Sequence, residues 1–286
     1  MPERLQFVDS SGVILELSDL PGVRALGDSG LDMPPASMVE DVIPGQAGSQ
    51  LRTVRLAARD AVLPFYLEQD SETSLRDLLR SLARRLNPQR GNGKLRHIAV
   101  DGTSRDLTCR YAGGLEGDRV RGSAGSTHRK GALLFRAHDP FWYDTAPMSS
   151  TFTTGAQPNF LGDPFLPIKL ASDTVLGEQT VSNDGDVESW PVWTVNGPAT
   201  SITLSNVTTG ETLSLPITLT AAQSVVIDTR PFVKTVRRDD GTNLFGSVSG
   251  SLWALGEGDT VINAQVAGST VDTFVTLVFY RRFLSP

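Results

Sequence analysis

Histidine, cysteine and carboxylate side chains are the groups that could bind a metal ion or supply a reactive thiol. The three histidines, His97, His128 and His138, are 31 and 10 residues apart, so no pair has the i, i+3 or i, i+4 spacing that places two ligands on one helix face. The single cysteine, Cys109, excludes an intrachain disulfide and a cysteine-based zinc cluster. Its position in an alternating strand predicts a buried core thiol. We therefore expect no metal and no cofactor.

The densest group of oxygen ligands is the segment Asn183-Asp184-Gly185-Asp186-Val187-Glu188. It lacks the twelve-residue loop, closed by a bidentate glutamate, that a calcium-binding EF-hand requires. A tight turn that leads into the strand Trp190-Pro191-Val192-Trp193 accounts for the same residues. We expect a turn here, with a cation site as the alternative.

The segment Gly27-Asp28-Ser29-Gly30 matches the sequence around the nucleophile of trypsin-like proteases. A nucleophilic serine needs a histidine base within hydrogen-bond reach, and in those proteases the histidine and the aspartate precede the serine in the chain. Every histidine of this chain follows Ser29. The four residues are common turn formers, so we expect no catalytic residue and no enzyme.

Aromatic side chains could form a platform for stacking on a sugar ring. Most of them are expected in a core or at a domain junction, but Trp190 and Trp193 have an odd spacing, so on a regular strand they point to opposite faces and one of them could be exposed. Two predicted hairpin tips, around residues 208–211 and 239–243, are the places where an adaptor protein or a saccharide could bind. The candidate contact residues are Thr208, Glu211, Asp240, Asn243 and Trp193.

An amphipathic helix is predicted at residues 75–86, because leucine and alanine recur there at i, i+3, i+4 and i+7. Ser74 is the predicted N-cap, and Asn87-Pro88 ends the helix because the residue before proline avoids helical angles. The arginines that lie off the apolar stripe form either a solvated face or a contact surface for another subunit. They are Arg76, Arg80, Arg84 and Arg85.

The rest of the first half predicts β-strands, at residues 51–56, 62–67, 94–100 and 107–111. Residues 33–48 show no periodicity and are predicted to be an ordered loop, and residues 113–128 are rich in turn formers and are predicted to be a mobile excursion.

The second half contains no convincing helix. Short runs of β-branched and aromatic residues recur every 8–15 residues between turn signals, which predicts a β-sandwich. The run at residues 274–279 consists almost entirely of β formers, as expected of a strand buried on both faces. We place the domain boundary after residue 146, which gives domains at residues 1–146 and 147–286.

Charge is divided unevenly over the 286 residues. Residues 1–148 carry 19 basic and 19 acidic side chains, whereas residues 149–286 carry 7 and 13 and account for the whole net charge of −6. Neither half has the basic excess that a nucleic-acid-binding protein uses to neutralise phosphates. We also expect no membrane insertion, because no run approaches the roughly 18 apolar residues of a membrane span. We expect no signal peptide, because the N-terminal residues lack the basic start and the apolar core of one.

Several motifs, taken in their order and spacing over about 200 residues, carry a family resemblance. In the first half they are Arg59, Pro64-Phe65-Tyr66-Leu67, the predicted helix with Asn87-Pro88, Gly93-Lys94-Leu95, Asp101-Gly102 with Arg105, Cys109-Arg110-Tyr111, Gly114-Leu115-Glu116-Gly117 and residues 135–142. In the second half they are residues 183–186, Trp190-Pro191, residues 206–211, residues 227–230 and Lys234-Thr235-Val236. Together they resemble the distal tail protein (Dit) family of long, non-contractile-tailed bacteriophages, and Asp139-Pro140-Phe141-Trp142 is the most specific of them.

The resemblance implies a mainly β virion structural protein without enzymatic activity. It implies an N-terminal β-rich belt domain with one α-helix, and a C-terminal β-sandwich similar to galectins and carbohydrate-binding modules. Six copies of such a protein close a ring around the tail channel, through which the genomic DNA only passes. The implied location is the distal end of the virion tail, after synthesis in the cytoplasm of the bacterial host.

The implied partners are the other copies of the homo-hexamer, the tail tube protein and the tail tip protein, with a receptor-binding protein or a cell-wall saccharide as a further ligand. Residues 113–129 would correspond to an arm that grips a neighbouring copy. This makes Arg119 and Arg121 ring-interface candidates, together with Arg76, Arg80 and Arg84 on the helix. The alternative function is an adhesin whose C-terminal sandwich binds cell-wall saccharide directly.

Overall fold

The computed structural model describes residues 3–18, 28–116, 124–153 and 177–286, together with the backbone of residues 23–25. The chain divides into two compact units, of which the first consists of Met1–Thr145 and Phe283–Pro286 and the second of Ala146–Arg282. Within the described residues both units are built of antiparallel strands, and the first also contains an α-helix. The expectation of a mainly β chain with one helix is therefore confirmed. None of the helices found in the described residues is long and apolar enough to span a membrane.

The strands of the first unit lie in one large sheet and one separate hairpin. In chain order the elements are β1 (Arg4–Val8), β2 (Ile14–Glu16), β3 (Val23–Ala25), β4 (Ala36–Asp41), β5 (Gln50–Leu56), β6 (Arg59–Glu68), α1 (Glu72–Arg85), a 3-10 helix (Pro88–Arg90), β7 (Gly93–Ile98), β8 (Ser104–Gly113), β9 (His128–Ala137) and β10 (Trp142–Asp144). The large sheet has the order β2-β1-β7-β8-β9-β6-β3, and β10 pairs with β8.

Helix α1 covers the apolar core of this sheet. It begins three residues earlier than predicted, because Ser71, and not Ser74, is the N-cap: the Ser71 Oγ accepts the backbone N–H of Ser74 at 3.1 Å. Leu75, Leu82 and Leu86 are buried, as the apolar stripe predicts. Glu72 provides the acidic side chain that favours the first turn of a helix.

A buried arginine holds three chain segments of the first unit together. Only 1% of the surface of Arg59 is exposed. Its Nη1 donates to the carbonyl oxygens of Leu31 and Asp32, both at 2.6 Å, and its Nη2 donates to the carbonyl oxygen of Leu284 at 2.8 Å. The indole Nε1 of Trp142 donates to the same Leu31 carbonyl at 2.9 Å. Burial lowers the pKa of the Arg59 guanidinium to about 10, so these carbonyl oxygens stabilise a charge that has lost its water.

The last four residues of the chain therefore belong to the first unit, whereas the sequence prediction assigned them to a domain of residues 147–286. A second arginine contributes to this arrangement. Arg105 Nη1 donates to the carbonyl oxygen of Ser285 at 2.9 Å, and its guanidinium carbon lies 3.5 Å from the centre of the Phe283 ring. Such contacts join residues that are far apart in sequence, which no local pattern reveals.

The second unit consists of two five-stranded sheets. In chain order its elements are β11 (Met148–Thr153), β12 (Gly177–Asn183), β13 (Val192–Asn196), β14 (Ala199–Asn206), β15 (Glu211–Leu219), β16 (Ser224–Asp228), β17 (Thr235–Arg238), a 3-10 helix (Phe245–Ser247), β18 (Ser249–Gly250), β19 (Gly258–Ala267), β20 (Phe274–Phe279) and β21 (Arg282–Phe283), whose last residue belongs to the first unit. One sheet has the order β11-β20-β13-β16-β17 and the other β12-β19-β14-β15-β18.

Both sheets contribute alternate side chains to a single apolar core, which has Trp193 and Trp253 among its members. The prediction that the strand at residues 274–279 is buried on both faces is wrong. Val275, Leu277 and Phe279 are buried, whereas Thr276 and Val278 between them are half-buried and Phe274 is exposed. Within the described part of the chain, the buried side chains of this strand lie on one face, and β-branched side chains on the other face are compatible with partial exposure.

Candidate assembly surface

The hairpin formed by β4 and β5 stands apart from the large sheet of the first unit. Among the described residues, the two strands pair only with each other, in the register Met38–Val54 and Val39–Thr53. None of their thirteen residues is buried. An isolated two-stranded hairpin is only marginally stable in water, so a further surface is needed to stabilise it.

Apolar side chains cover much of this β4–β5 hairpin. Met38 is 60% exposed, and Val42 in the connecting turn is 74% exposed. The exposed large apolar residues in and next to the hairpin are Met33, Met38, Val39, Val42, Ile43, Leu51 and Val54. A concentration of exposed apolar surface of this kind marks an interaction site.

The end of the hairpin is charged. The Ser49 hydroxyl donates to Glu40 at 2.5 Å, and Arg52 forms an ion pair with Asp41. The hairpin thus has polar and charged side chains next to its exposed apolar ones, and a protein–protein interface combines an apolar core with a polar rim in the same way.

Sequence analysis assigned residues 33–48 to a loop, and β4 shows that this prediction is wrong for residues 36–41. A β-bulge between Val39 and Glu40 shifts the register and interrupts the period-two pattern on which strand prediction depends. The cluster Gly45-Gln46-Ala47-Gly48 between two apolar runs was the signal that could have indicated the hairpin turn.

Three of the predicted ring-interface residues lie on the exposed face of α1. Arg76, Arg80 and Arg84 are exposed, and their spacing of four residues places them in a row along the helix. Arg76 forms an ion pair with Glu72 of the same helix at 2.8 Å. These three arginines stay candidates for a contact with another copy. Arg119 and Arg121 lie outside the described residues, as do residues 117–123 of the predicted arm.

The two predicted hairpin tips of the second unit are exposed, but their polar groups stabilise the turns. Thr208 Oγ1 accepts the backbone N–H of Val261 at 2.9 Å, and Glu211 accepts the Thr209 hydroxyl at 3.0 Å. The two tips belong to different sheets, because residues 208–211 connect β14 to β15 while residues 239–243 follow β17.

The polar groups of the second tip, at residues 239–243, also stabilise their own turn. Asp240 pairs with Arg238 and accepts the N–H of Thr242 at 2.9 Å, and Asn243 Oδ1 accepts the N–H of Phe245 at 3.0 Å. The Arg238 hydrogen bond, assisted by Thr242, holds the pKa of Asp240 well below its usual range.

The assignment of Trp193 as a contact residue is wrong. Only 1% of its surface is exposed, and it packs edge-to-face against Trp253 with 5.3 Å between the ring centres. Trp253 is buried too, with its Nε1 donating to the Leu204 carbonyl at 3.2 Å. These indoles belong to the sandwich core, so neither can stack on a saccharide.

The segment at residues 183–188 is a turn stabilised by one buried amide. Asn183 is fully buried, its Nδ2 donates to the carbonyls of Val187 and Gly256 at 3.0 Å, and its Oδ1 accepts the N–H of Gly185 at 3.2 Å. Among the described residues no group of three histidine, cysteine or carboxylate side chains could hold a metal ion.

Of the groups that could have been reactive, Cys109 is a core residue, as predicted. It is buried, and burial raises the pKa of its thiol to about 12. His97 lies edge-on to Trp142 with 6.4 Å between ring centres, and His128 lies beside Tyr66 at 6.0 Å.

Comparison with known proteins shows a likeness at the level of the fold. No family model and no curated protein matches the chain. The crystal structure of the Dit protein of phage SPP1, described as a paradigm of the hub adsorption apparatus in phages that infect Gram-positive bacteria, is similar with a TM-score of 0.69 and 18% identity, covering 99% of this chain and 100% of that one.

Two structures of the phage P2 baseplate in its activated conformation are also similar. The one with Ca has a TM-score of 0.54 and 11% identity over 98% of both chains. The one with Sr has a TM-score of 0.51 and 11% identity over 94% of this chain and 100% of the other. The matches extend over both units, and the chain therefore has the fold of the phage Dit hub protein.

Proposed function

We propose that this chain is a structural, non-enzymatic protein of a bacteriophage tail, and that six copies form a ring that connects the tail tube to the tail tip and its host-recognition proteins. Its fold supports this proposal, since the solved structures similar to it are a Dit hub protein and baseplates. The ring would place the protein at the distal end of the virion tail.

The β4–β5 hairpin is the observation on which the ring proposal depends. A closed ring requires a heterologous interface, in which one surface of a copy binds a different surface of the next. The hairpin supplies the first of these surfaces, because none of its strand residues is buried within its own chain. Packing against a neighbouring copy would remove its apolar side chains from water.

A candidate for the second surface of the ring interface lies at the edge of the large sheet. Strand β2 is the outer strand at one end of that sheet, and Val13 and Ile14 are both about half exposed there. Arg85 of α1 donates to the Ile14 carbonyl oxygen at 3.2 Å, and the apolar side chains of this edge stay exposed, which makes the edge a site for association. We place the hairpin of one copy against this edge of the next, with the arginine row of α1 as a further contact.

The test is the oligomeric state of a hairpin variant. Met38 and Val54 are partners in the hairpin register, so the double substitution Met38→Ser/Val54→Ser removes apolar surface at one point without touching a core. Native mass spectrometry should detect six-membered rings for the wild type and monomers for this variant. The control Val207→Ser/Val271→Ser makes a similar change at exposed residues of the second unit and should leave the ring intact. A monomeric wild type, or a hexameric hairpin variant, would contradict the proposal.

A further inference from the structure

A tight turn in the second unit presents an aromatic side chain entirely to solvent. The relative exposure of Phe232 is 107%, the highest among the exposed large apolar residues. Its φ is +67°, and that of Lys234 is +30°; within the described part of the chain these are the non-glycine residues with positive φ. The left-handed region is unfavourable for a bulky side chain, and strain of this kind is concentrated at binding and catalytic sites.

The segment that enters the turn is fixed by buried groups. Thr229 is buried, and both its hydroxyl and its backbone N–H donate to the Pro191 carbonyl, at 2.6 and 3.2 Å. Asp228, also buried, accepts the backbone N–H of Arg230 at 3.0 Å and the guanidinium Nε at 2.9 Å. The position of Arg230 is therefore set by the sandwich.

The turn is closed beyond Phe232 as well. The N–H groups of Val233 and Lys234 both donate to the Arg230 carbonyl, at 3.2 and 3.1 Å. The Lys234 ammonium lies 5.9 Å from the centre of the Trp190 ring. Because both ends of the turn are held, Phe232 is presented in one place, and a partner would bind it without the cost of ordering a loop.

Phe232 lies two residues from a positive charge, Lys234, although the second half of the chain is acidic. Residues 149–286 carry 7 basic and 13 acidic side chains. Four of the seven basic residues fall within residues 230–238; Arg230 and Arg238 form ion pairs with Asp228 and Asp240, and Lys234 supplies the positive charge of the turn itself. An exposed aromatic residue flanked by positive charge complements an apolar pocket with carboxylates at its rim.

We propose that Phe232 is the anchor of a protein-docking site, and that it inserts into an acidic-rimmed apolar pocket of a different protein of the tail tip. This inference rests on the proposed function, because it takes the partner from the same assembly. On this proposal the strained φ of Phe232 serves binding. The fully exposed Phe232 side chain adds no packing to the folded chain, so the strain has no purpose in folding.

Two asparagine variants separate binding from folding. Asparagine adopts the left-handed region several-fold more readily than phenylalanine, so Phe232→Asn should leave the melting temperature unchanged or raise it by a few degrees. The same variant should retain the ring in native mass spectrometry and lose the docked partner from purified tails. The matched control is Val271→Asn, at a turn residue that is 88% exposed without a positive φ, and it should lose neither.

The partner is identified by a photo-crosslinker in place of the aromatic ring. Tails carrying Phe232→p-benzoylphenylalanine should crosslink to a second polypeptide at least ten-fold more than tails with the crosslinker at position 271, and the crosslinked peptide should combine apolar and acidic residues. The docking site would be overturned if the crosslinker reached only this chain, or reached a second polypeptide no more than position 271 does. It would also be overturned if Phe232→Asn lowered the melting temperature, or lost the ring together with the partner. The proposed function fails on a separate readout, which is the absence of a ring in the wild-type protein.

Discussion

Replacing Arg59 by methionine tests whether one buried charge holds the first unit together. The substitution keeps most of the apolar stem and removes the three charged hydrogen bonds to the carbonyls of Leu31, Asp32 and Leu284. All three carbonyls lose the donor that Arg59 supplies, and the Leu31 carbonyl retains the indole of Trp142 as a donor.

The size of the effect follows from this geometry. A hydrogen bond to a charged group contributes about 1.5–3 kcal/mol, and a buried acceptor left without a partner costs about 1–3 kcal/mol. Burial of the Arg59 charge is itself costly, as its pKa of about 10 shows. The methionine variant has no charge to bury, which offsets part of the loss. We expect Arg59→Met to lower the free energy of unfolding of the first unit by roughly 3–5 kcal/mol.

Urea unfolding followed by hydrogen exchange and mass spectrometry measures this value separately for the two units. Loss of protection should be confined to the first unit and include residues 283–286. The control Arg136→Met makes the same substitution on a neighbouring strand, where the side chain is half exposed and pairs with Asp60 at 3.3 Å. A surface pair of this kind contributes about 0–1 kcal/mol. If Arg59→Met and Arg136→Met destabilise the protein equally, the buried charge does not act as we infer.

Further predictions concern the core, the thiol and the ring surface. Leu82→Ala removes a buried side chain of α1 and should cost about 2–5 kcal/mol in chemical denaturation, while the exposed Ser81→Ala should change little. Burial raises the pKa of the Cys109 thiol to about 12, so this thiol contributes stability that is complete below its pKa in the unfolded chain and is lost as the pH rises through its pKa in the folded protein. At pH 8 the native protein should therefore resist alkylation by iodoacetamide, and rapid labelling would refute the burial. Arg80→Glu/Arg84→Glu should reduce ring formation in native mass spectrometry while circular dichroism stays unchanged, and an unaltered ring would remove this row from the interface.

The helix and the strand-rich character of both halves could be predicted from local patterns. The leucine spacing of α1 specifies its buried face, since the helical period of 3.6 residues depends only on backbone geometry. Its first residue was misplaced because Ser71 and Ser74 are both suitable N-caps, and only the hydrogen bond between them shows which one caps the helix. The β4 strand was missed because a bulge removed its alternation.

The candidate sites depended much more on tertiary structure. Trp193 and Phe232 are both aromatic residues in β-rich surroundings, yet the first is 1% exposed and the second 107%. Trp193 is buried because it packs between the two sheets, and Phe232 is exposed because it lies in a turn with a positive φ. Neither arrangement can be recognised from the local sequence.

Composition and short-range periodicity are enough to predict the type of structure, the lack of a disulfide framework and the separation of charge between the two halves. Long-range packing is needed to show that the C-terminal residues belong with Arg59 and Arg105, that β4 and β5 form an exposed apolar hairpin, and that Phe232 is presented to solvent. Burial is a property of the whole packed chain: Arg59 and Leu284 are 225 positions apart, and no local propensity encodes a contact between them.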